Sequence, residues 1–242
     1  MTTLSITDSQ IFQVLRSFLL GILPSSVEVI KGQVNRVSEP QSSDFVVMTP
    51  ISRVRLATNV DSTADNYFIG SISGTTMTIT EVENGVIGLG AQIFGVNVLS
   101  NTYVTAFGTG TGGVGTYTVS QSQTFASGTL AAGTSNSLQS TQIKIQLDVH
   151  GPSSADNAQI ISTLLWDQYA FSQMTSSGYD IAPLYCDDPK QIPFINAEQQ
   201  YEDRWTIDAI LQANPIVQVP QQFADVIGPV DIIDVNVTYP IN

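Results

Sequence analysis

Residues 141–149 decide the fold and read Thr141-Gln-Ile-Lys-Ile-Gln-Leu-Asp-Val149. Polar and apolar side chains alternate over these nine positions, which predicts a β-strand with one buried face. A helix is predicted directly after it, because Pro152-Ser-Ser-Ala-Asp156 offers Ser153 or Ser154 as a cap. The apolar face of that helix is formed by Ile160, Ile161, Leu164, Leu165 and Tyr169.

Another helix is predicted near the N-terminus, where Thr7 and Gln10 have the spacing of a capping box. Leu23-Pro24 ends it, because a residue before proline is pushed out of the helical region. Its apolar face recurs at helical spacing and comprises Ile11, Val14, Leu15, Phe18, Leu19 and Ile22.

Four more strands are predicted in the outer parts of the chain, at 27–30, 45–58, 201–212 and 230–239. Pro50 indicates a bulge or an edge position in the second of them, since proline cannot donate a ladder hydrogen bond. The buried candidates of that strand are Val46, Met48, Ile51, Val54 and Leu56. In the strand 201–212, Trp205 is expected in the core and Arg204 exposed or ion-paired.

The middle of the chain has a different composition. Thirteen of the 18 glycines lie between Gly70 and Gly133, and no Lys or Arg occurs between Arg55 and Lys144. Runs rich in Thr, Ser and Val are cut by glycine, which is typical of brief antiparallel strands joined by tight turns. The glycine-rich run 108–115 is expected at a hairpin tip.

These patterns predict one domain that carries a second domain as an insertion. Residues 66–136 are expected to form a small all-β domain that decorates another domain. Neither flank can cover a sheet alone, so residues 1–65 and 137–242 are expected to co-fold as one discontinuous domain. The predicted fold class is α+β: an antiparallel sheet packed by two main helices, with the all-β domain inserted.

Composition argues against several classes of protein. Eight Lys and Arg against 21 Asp and Glu give a net charge of −13, whereas proteins that grip nucleic-acid phosphates need clustered cations. No apolar run reaches the roughly 18 residues of a membrane-spanning helix, and no secretory signal is visible. The one cysteine, Cys186, cannot form an internal disulfide.

Few residues have the chemistry of an active site. His150 lies two positions after Asp148, so it is either an imidazole oriented for acid–base chemistry or a histidine hydrogen-bonded at a turn. We favour the second interpretation, because no nucleophile motif accompanies it. Cys186 has no basic neighbour to activate its thiol.

Two other patterns point to no ligand. Asp180, Asp187 and Asp188 lack the ligand spacing of a calcium loop. The run 108–115 lacks the Gly-Lys-Ser/Thr of a phosphate-binding loop. We therefore expect no enzyme, no cofactor and no metal.

A proline-rich segment indicates contact with other subunits instead. Residues 183–196 hold three prolines, which keep the segment extended and leave Tyr185 and Phe194 either as anchors or folded back on the core. The scarce arginines suit pairing across subunits as well as within one chain. The candidate subunit-interface residues are Arg36, Arg53, Arg55, Tyr185, Asp187, Asp188, Gln191 and Phe194.

Many short segments resemble, in consistent order, those of tailed-bacteriophage neck or tail-terminator proteins. The similarity spans residues 1–60 and 140–242, and it includes Asp148-Val-His-Gly-Pro152, Gln191-Ile-Pro-Phe-Ile-Asn196 and Tyr201-Glu-Asp-Arg-Trp205. The insert departs from the plain terminator pattern and is similar, by composition, to small β modules of phage virion proteins.

The resemblance implies a structural virion protein at the head–tail junction, made in the cytoplasm of the host bacterium. Members form a ring, generally of six subunits, that caps the tail tube and docks on the head. The implied partners are other copies of the chain, head connector or adaptor proteins, and tail tube or sheath proteins. DNA passes through the lumen without specific binding, and no membrane is involved.

Two alternatives stay open. The insert can be a glycan- or receptor-binding module of a tail fibre, with Tyr67, Tyr103, Tyr117 or Phe125 stacking on sugar rings. A small hydrolase built around Asp148 and His150 is the other, and it predicts that His150→Ala abolishes an activity.

Overall fold

The computed structural model describes residues 2–33, 40–195 and 201–221, and the predicted strand 230–239 lies outside them. The described part is mostly β, with helices α1 (Asp8–Ile22), α2 (Ser154–Leu165) and α3 (Gln168–Thr175). The strands are β1 (Thr3–Leu4), β2 (Glu28–Lys31), β3 (Phe45–Arg55), β4 (Val60–Asn84), β5 (Val104–Phe107), β6 (Gly115–Leu138), β7 (Thr141–His150), β8 (Ile181–Cys186), β9 (Lys190–Gln191), β10 (Phe194–Ile195), β11 (Tyr201–Glu202), β12 (Arg204–Ala213) and β13 (Ile216–Pro220).

The chain divides into two compact units. Thr2–Ser62 and Asn136–Gln218 form the first, which we call the discontinuous unit. Thr63–Ser135 and the described residues after Gln218 form the second, which we call the β unit.

Helix α1 begins and ends as the sequence predicts. The Gln10 side-chain oxygen accepts a hydrogen bond from the Thr7 N–H at 2.7 Å, and the Thr7 hydroxyl accepts one from the Gln10 N–H, so the capping box is complete. Leu23 has an extended backbone with ψ of 157°, which ends the helix before Pro24.

The discontinuous unit contains a six-stranded sheet in the order β2-β3-β7-β12-β8, with β9 also paired to β12. β7 lies at its centre, antiparallel to both neighbours. In contrast to the prediction, β2 runs parallel to β3, so the sheet is mixed. The connection 32–44 has the length that a crossover between parallel neighbours needs.

Helices α1, α2 and α3 pack on one face of this sheet. That face carries the apolar members of β7 and β12, and the opposite face carries the polar ones, because alternate side chains of a strand point to opposite faces. Trp205 packs against this core, as expected. Its buried residues include Leu15, Leu19, Val46, Met48, Ile145, Leu147, Val149, Ile161, Met174, Ile207 and Leu211.

The single helix predicted after residues 141–149 is in fact two helices. Helix α2 ends at Leu165, and the Asp167 carboxylate caps α3 by accepting a hydrogen bond from the Tyr169 N–H at 2.8 Å. Tyr169 is consequently exposed rather than part of the apolar face of α2. Ser153 stands at the N-cap of α2 without a side-chain hydrogen bond, and its N–H donates to Asp44 instead.

A bulge interrupts β3 where the sequence predicts one. Pro50 lies opposite Ile145 and Ser52 opposite Lys144, so Ile51 is an extra residue. The bulge reverses the inward and outward positions that follow it, and the strand then runs beyond the core. For this reason Val46 and Met48 are buried as predicted, whereas Ile51, Val54 and Leu56 are exposed.

The β unit is built from longer strands than predicted. β4 folds back on itself at Gly74: Thr80 donates to the Ile69 carbonyl and Asn84 to the Asp65 carbonyl. Gly74 has φ of +63°, which suits the first central position of a two-residue hairpin turn. The unit has a core of its own, formed by Phe68, Ile72, Met77, Ile79, Ile87, Ile93, Val104, Tyr117, Val119, Leu130 and Ala132.

The run 108–115 is a hairpin tip, as predicted. It joins β5 to β6, which are antiparallel with Phe107 opposite Tyr117. The tip closes over the Tyr117 ring, whose hydroxyl donates to the Gly113 carbonyl and accepts from the Gly112 N–H at 3.0 Å. These hydrogen bonds hold the glycine-rich run in one conformation.

Candidate subunit-interface site

Two of the predicted interface residues, Arg53 and Arg55, lie at one edge of the sheet of the discontinuous unit. β2 pairs with β3 from Phe45 to Met48, and in the described residues no strand lies beside the rest of β3 on that side. The bulge places Arg53 opposite Ile143 and Arg55 opposite Thr141. Both arginines therefore start from the sheet face that carries the helices.

One carboxylate serves two cations at this edge. Asp8, in the first turn of α1, accepts hydrogen bonds from Lys31 Nζ at 2.5 Å and Arg53 Nη2 at 2.7 Å. Partial burial raises the pKa of Asp8, but the hydrogen bonds from Lys31 and Arg53 outweigh it and hold the pKa below its usual value. Lys31 also lies over the Phe12 ring, 3.9 Å from its centroid.

Two further arginines at this edge hydrogen-bond to neutral groups. Arg16 Nε donates to the Val29 carbonyl at 2.8 Å, and Arg55 Nη2 donates to the Gln139 amide oxygen at 2.8 Å. Of the seven lysines and arginines in the described ranges, four therefore lie here. We call this group the basic edge: Arg16, Lys31, Arg53 and Arg55. Arg36 lies outside the described residues.

The other edge of the same sheet is formed by β8 and carries the predicted Tyr185, Asp187 and Asp188. Tyr185 is 39% exposed, and Asp188 is exposed directly after the strand. The Asp187 N–H donates to the Asp208 carbonyl at 3.0 Å, so Asp187 continues the register of β8. We call four carboxylates here the acidic edge: Asp187 and Asp188, with Asp167 at the start of α3 and Asp180 just before β8.

The members of the acidic edge differ in how they are held. Asp167 is fixed as the cap of α3, and Asp180 accepts a hydrogen bond from Asn214 Nδ2 at 2.9 Å. The nearest ion pair joins Lys144 to Asp208 at 2.6 Å. The hydrogen bond from Asp208, with the charges of Asp208 and Asp187, raises the pKa of Lys144 against the effect of its partial burial.

Gln191 and Phe194 lie in the connection between β8 and β12. Gln191 is exposed on β9, opposite Trp205. Phe194 packs edge-on against His150, with ring centroids 5.4 Å apart, and Arg204 lies 5.7 Å from the centre of its ring. Of the two candidate anchors, Tyr185 thus stays at the surface and Phe194 lies against neighbouring side chains of its own chain.

His150 is a buried, hydrogen-bonded residue at the end of β7. Its Nδ1 lies 2.7 Å from Glu202 Oε1, and its ring stacks on Phe45 at 4.6 Å between centroids. The carboxylate that the sequence places beside it, Asp148, is engaged elsewhere, since it accepts from Arg204 Nη2 at 2.6 Å. The partner Glu202 was not predicted, because it lies on another strand far along the chain.

Cys186 is a buried thiol. Its Sγ lies 3.6 Å from the Ser162 carbonyl. Burial raises the pKa of the Cys186 thiol to about 11, with Asp187 and Asp188 adding to the shift and a hydrogen bond from Trp166 opposing it. The thiol is consequently protonated at neutral pH, and a protonated thiol is a poor nucleophile.

The sequence analysis missed Trp166, which is 66% exposed beside the acidic edge. Its Nε1 donates to the Cys186 carbonyl at 3.2 Å, and its ring centroid lies 6.1 Å from that of Tyr185. With the exposed Leu184, these rings form an apolar group on this edge. The available signal was a tryptophan placed directly after the last buried position of α2.

The four aromatic residues considered for sugar stacking differ in how far they are exposed. Tyr117 is fully buried, which corrects the expectation that it is exposed. Phe125 packs against the core of the unit, and Tyr67 and Tyr103 are half-buried. Phe107, which the sequence analysis did not consider, is exposed.

In residues 2–33, 40–195 and 201–221, no group of three or more His, Cys, Asp or Glu side chains is placed to hold a metal ion. No helix there has both the length and the apolar character needed to cross a membrane.

A family model described as phage neck terminator protein matches residues 98–241, which is more than half of the chain. The match confirms the resemblance seen in short segments, although it begins inside the β unit and does not include residues 1–60. No curated protein matches the chain.

Proposed function

This chain belongs to the phage neck terminator family, a structural family, and we propose that it forms a ring at the head–tail junction of the phage particle. Six copies close the ring, which caps the tail tube or its sheath and docks on the head connector or adaptor proteins. The protein is made in the cytoplasm of the host and then becomes part of the virion.

The observation that carries this proposal is the extent of the family match. Residues 98–241 include β7, α2, α3, β8 and β12, which are the helices and strands that build the acidic edge. A heterologous ring needs two different patches on each subunit. The acidic and basic edges, on opposite sides of one sheet, are two such patches.

The proposal assigns an electrostatic role to the acidic composition. The chain carries 21 carboxylates and 8 lysines and arginines. Carboxylates on the wall of the ring would repel the DNA backbone, so that DNA passes through the lumen without binding. An electron microscopy map of the ring that locates the carboxylates tests this role, and a lumen wall lined by basic residues would refute it.

We further propose that residues 66–136 decorate the outside of the ring. The separate core of the β unit supports this assignment, because deletion of such an insert need not disturb the core of the remaining chain. Deletion of residues 66–136 should leave head–tail joining and infectivity intact. If the deletion instead abolished host adsorption while joining persisted, the insert would be a receptor-binding module.

The ring itself is tested by mass. Native mass spectrometry of the purified chain, free and bound to purified tail tubes, should give a species of six times the 26.0 kDa chain mass in at least one condition. A chain that stays monomeric in both conditions would contradict the proposal.

A further inference from the structure

We infer that neighbouring copies of this chain dock edge to edge, with the acidic edge of one copy against the basic edge of the next. The inference rests on the proposed ring and specifies which surfaces form it. The partner is a second copy of the chain, because the charges of the two edges are opposite and their positions across the sheet correspond.

Among the described residues, no ion pair within one copy joins the two edges. At the basic edge, Asp8 contacts two of the four cations, and Arg16 and Arg55 bond to neutral groups. β3 and β8 are three strand spacings apart, about 14 Å at ~4.8 Å per spacing, which is far beyond ion-pair distance. Only another molecule can bring the edges together.

The charges also match in position along the strands. One row of the sheet register runs from Arg55 through Thr141 and Ala213 to Ile181, and Asp180 directly precedes Ile181. A shift of one copy along the hydrogen-bonding direction therefore brings Asp180 near the level of Arg55.

A second row gives the same result at the other end of the edge. Lys31 is level with Met48, and Pro50 is level with Cys186 through Ile145 and Ala209. Asp187 follows Cys186 and so lies within about one residue of the level of Lys31. Both ends of the acidic edge thus lie near the level of a cation along the strands.

Apolar side chains lie between these charges on both edges. Ile51 and Val54 are exposed on β3, and Leu184 and Tyr185 are exposed on β8. Ser52 and Tyr185 share a row of the register, so the two apolar groups are at the same level. Apolar contacts flanked by ion pairs give a surface that excludes water at its centre.

The contact is made by side chains rather than by a continuous sheet. Pro183 has no N–H to donate, and the register of β8 shifts at Leu184. Both features are typical of edge strands that do not pair with another strand.

Charge reversal tests this docking. Asp180→Lys with Asp187→Lys places cations at the two positions that the register sets near the levels of Arg55 and Lys31, and Lys31→Glu with Arg55→Glu places carboxylates at those two cation positions in another variant. Each variant alone should lose the ring species in native mass spectrometry. A 1:1 mixture should recover it as an alternating ring, because each of these positions then meets an opposite charge.

The matched control for the aspartate variant is Glu81→Lys with Glu83→Lys on β4, which makes the same change in charge in the β unit. It should keep the ring. Circular dichroism checks that each variant is folded, and recovery in the mixture shows that a variant which fails alone is competent. For the wild type, raising the salt from 0.1 M to 1 M should weaken the ring, since the Debye length falls from ~10 to ~3 Å.

The outcomes separate the docking from the ring. If the wild type forms a ring and both reversed variants keep it, the edge-to-edge docking is wrong and the ring proposal stands. Failure of the mixture to recover the ring, with both variants folded, also overturns the docking. A wild type that never forms a ring overturns both.

Discussion

The two hydrophobic cores should unfold as separate units, and Phe68→Ala tests this. Phe68 is fully buried in the core of the β unit, and none of its core neighbours belongs to the core of the discontinuous unit. Truncation of a buried phenylalanine to alanine costs ~3–5 kcal/mol, from lost transfer free energy and the cavity left behind. For a domain of this size, such a loss lowers the Tm by about 12 °C or more.

Hydrogen–deuterium exchange with mass spectrometry reads the two units separately. In Phe68→Ala, amide protection should fall in β4 and β6 and stay unchanged in β7 and β12. Phe107→Ala is the matched control, because Phe107 is 42% exposed in the same unit and should change protection little. An equal loss of protection in β7 and β12 would show that the two cores unfold together, and the reasoning would be refuted.

Three further predictions concern single positions. Thr7→Ala removes the capping box of α1 and should cost ~1 kcal/mol in urea unfolding, and an unchanged midpoint would contradict the cap. Gly21→Ala should stabilise by about 0.5–1 kcal/mol, since a Cβ there meets no atom within 4 Å, whereas Gly151→Ala should destabilise by roughly 1–3 kcal/mol, because φ is +104° and the Cβ would clash with the Ser43 carbonyl. Cys186 should resist iodoacetamide at pH 8 and react only as the pH nears 11, and rapid labelling of the folded protein at pH 8 would contradict the burial. Because the pKa of Cys186 is raised in the folded state, the free energy of unfolding should also fall between pH 9 and 11.

Local sequence signals predicted the local structure well. The capping box at Thr7, the alternation of 141–149 and the bulge at Pro50 each depend on residues close together in the chain. Such features are encoded by spacing alone, and spacing is visible in a single sequence.

Features that depend on competition or on distant residues were not predictable in the same way. The apolar period continues through Trp166 to Tyr169, but Asp167 competes as a cap and starts a new helix. His150 had a carboxylate two residues away, yet its partner is Glu202 on another strand. The parallel pairing of β2 depends on a crossover that no local pattern records.

For the candidate interface, the sequence supplied the residue types and the sheet supplied their arrangement. Arg55 and Asp187 were singled out from scarcity of charge and from a proline-rich segment. That they belong to opposite edges of one sheet follows from the strand order, which pairs residues far apart in the chain. Trp166 was missed because its exposure results from the end of α2, a feature that the apolar period concealed.

The extra residue in β3 has a consequence for evolution by small deletions. Removal of Ile51 alone would restore regular alternation and leave Arg53 opposite Ile143 and Arg55 opposite Thr141. Every charged residue would still be present, and Asp8 would keep both of its cations. A single codon can therefore be lost from this edge while the positive surface of the protein and its net charge stay the same.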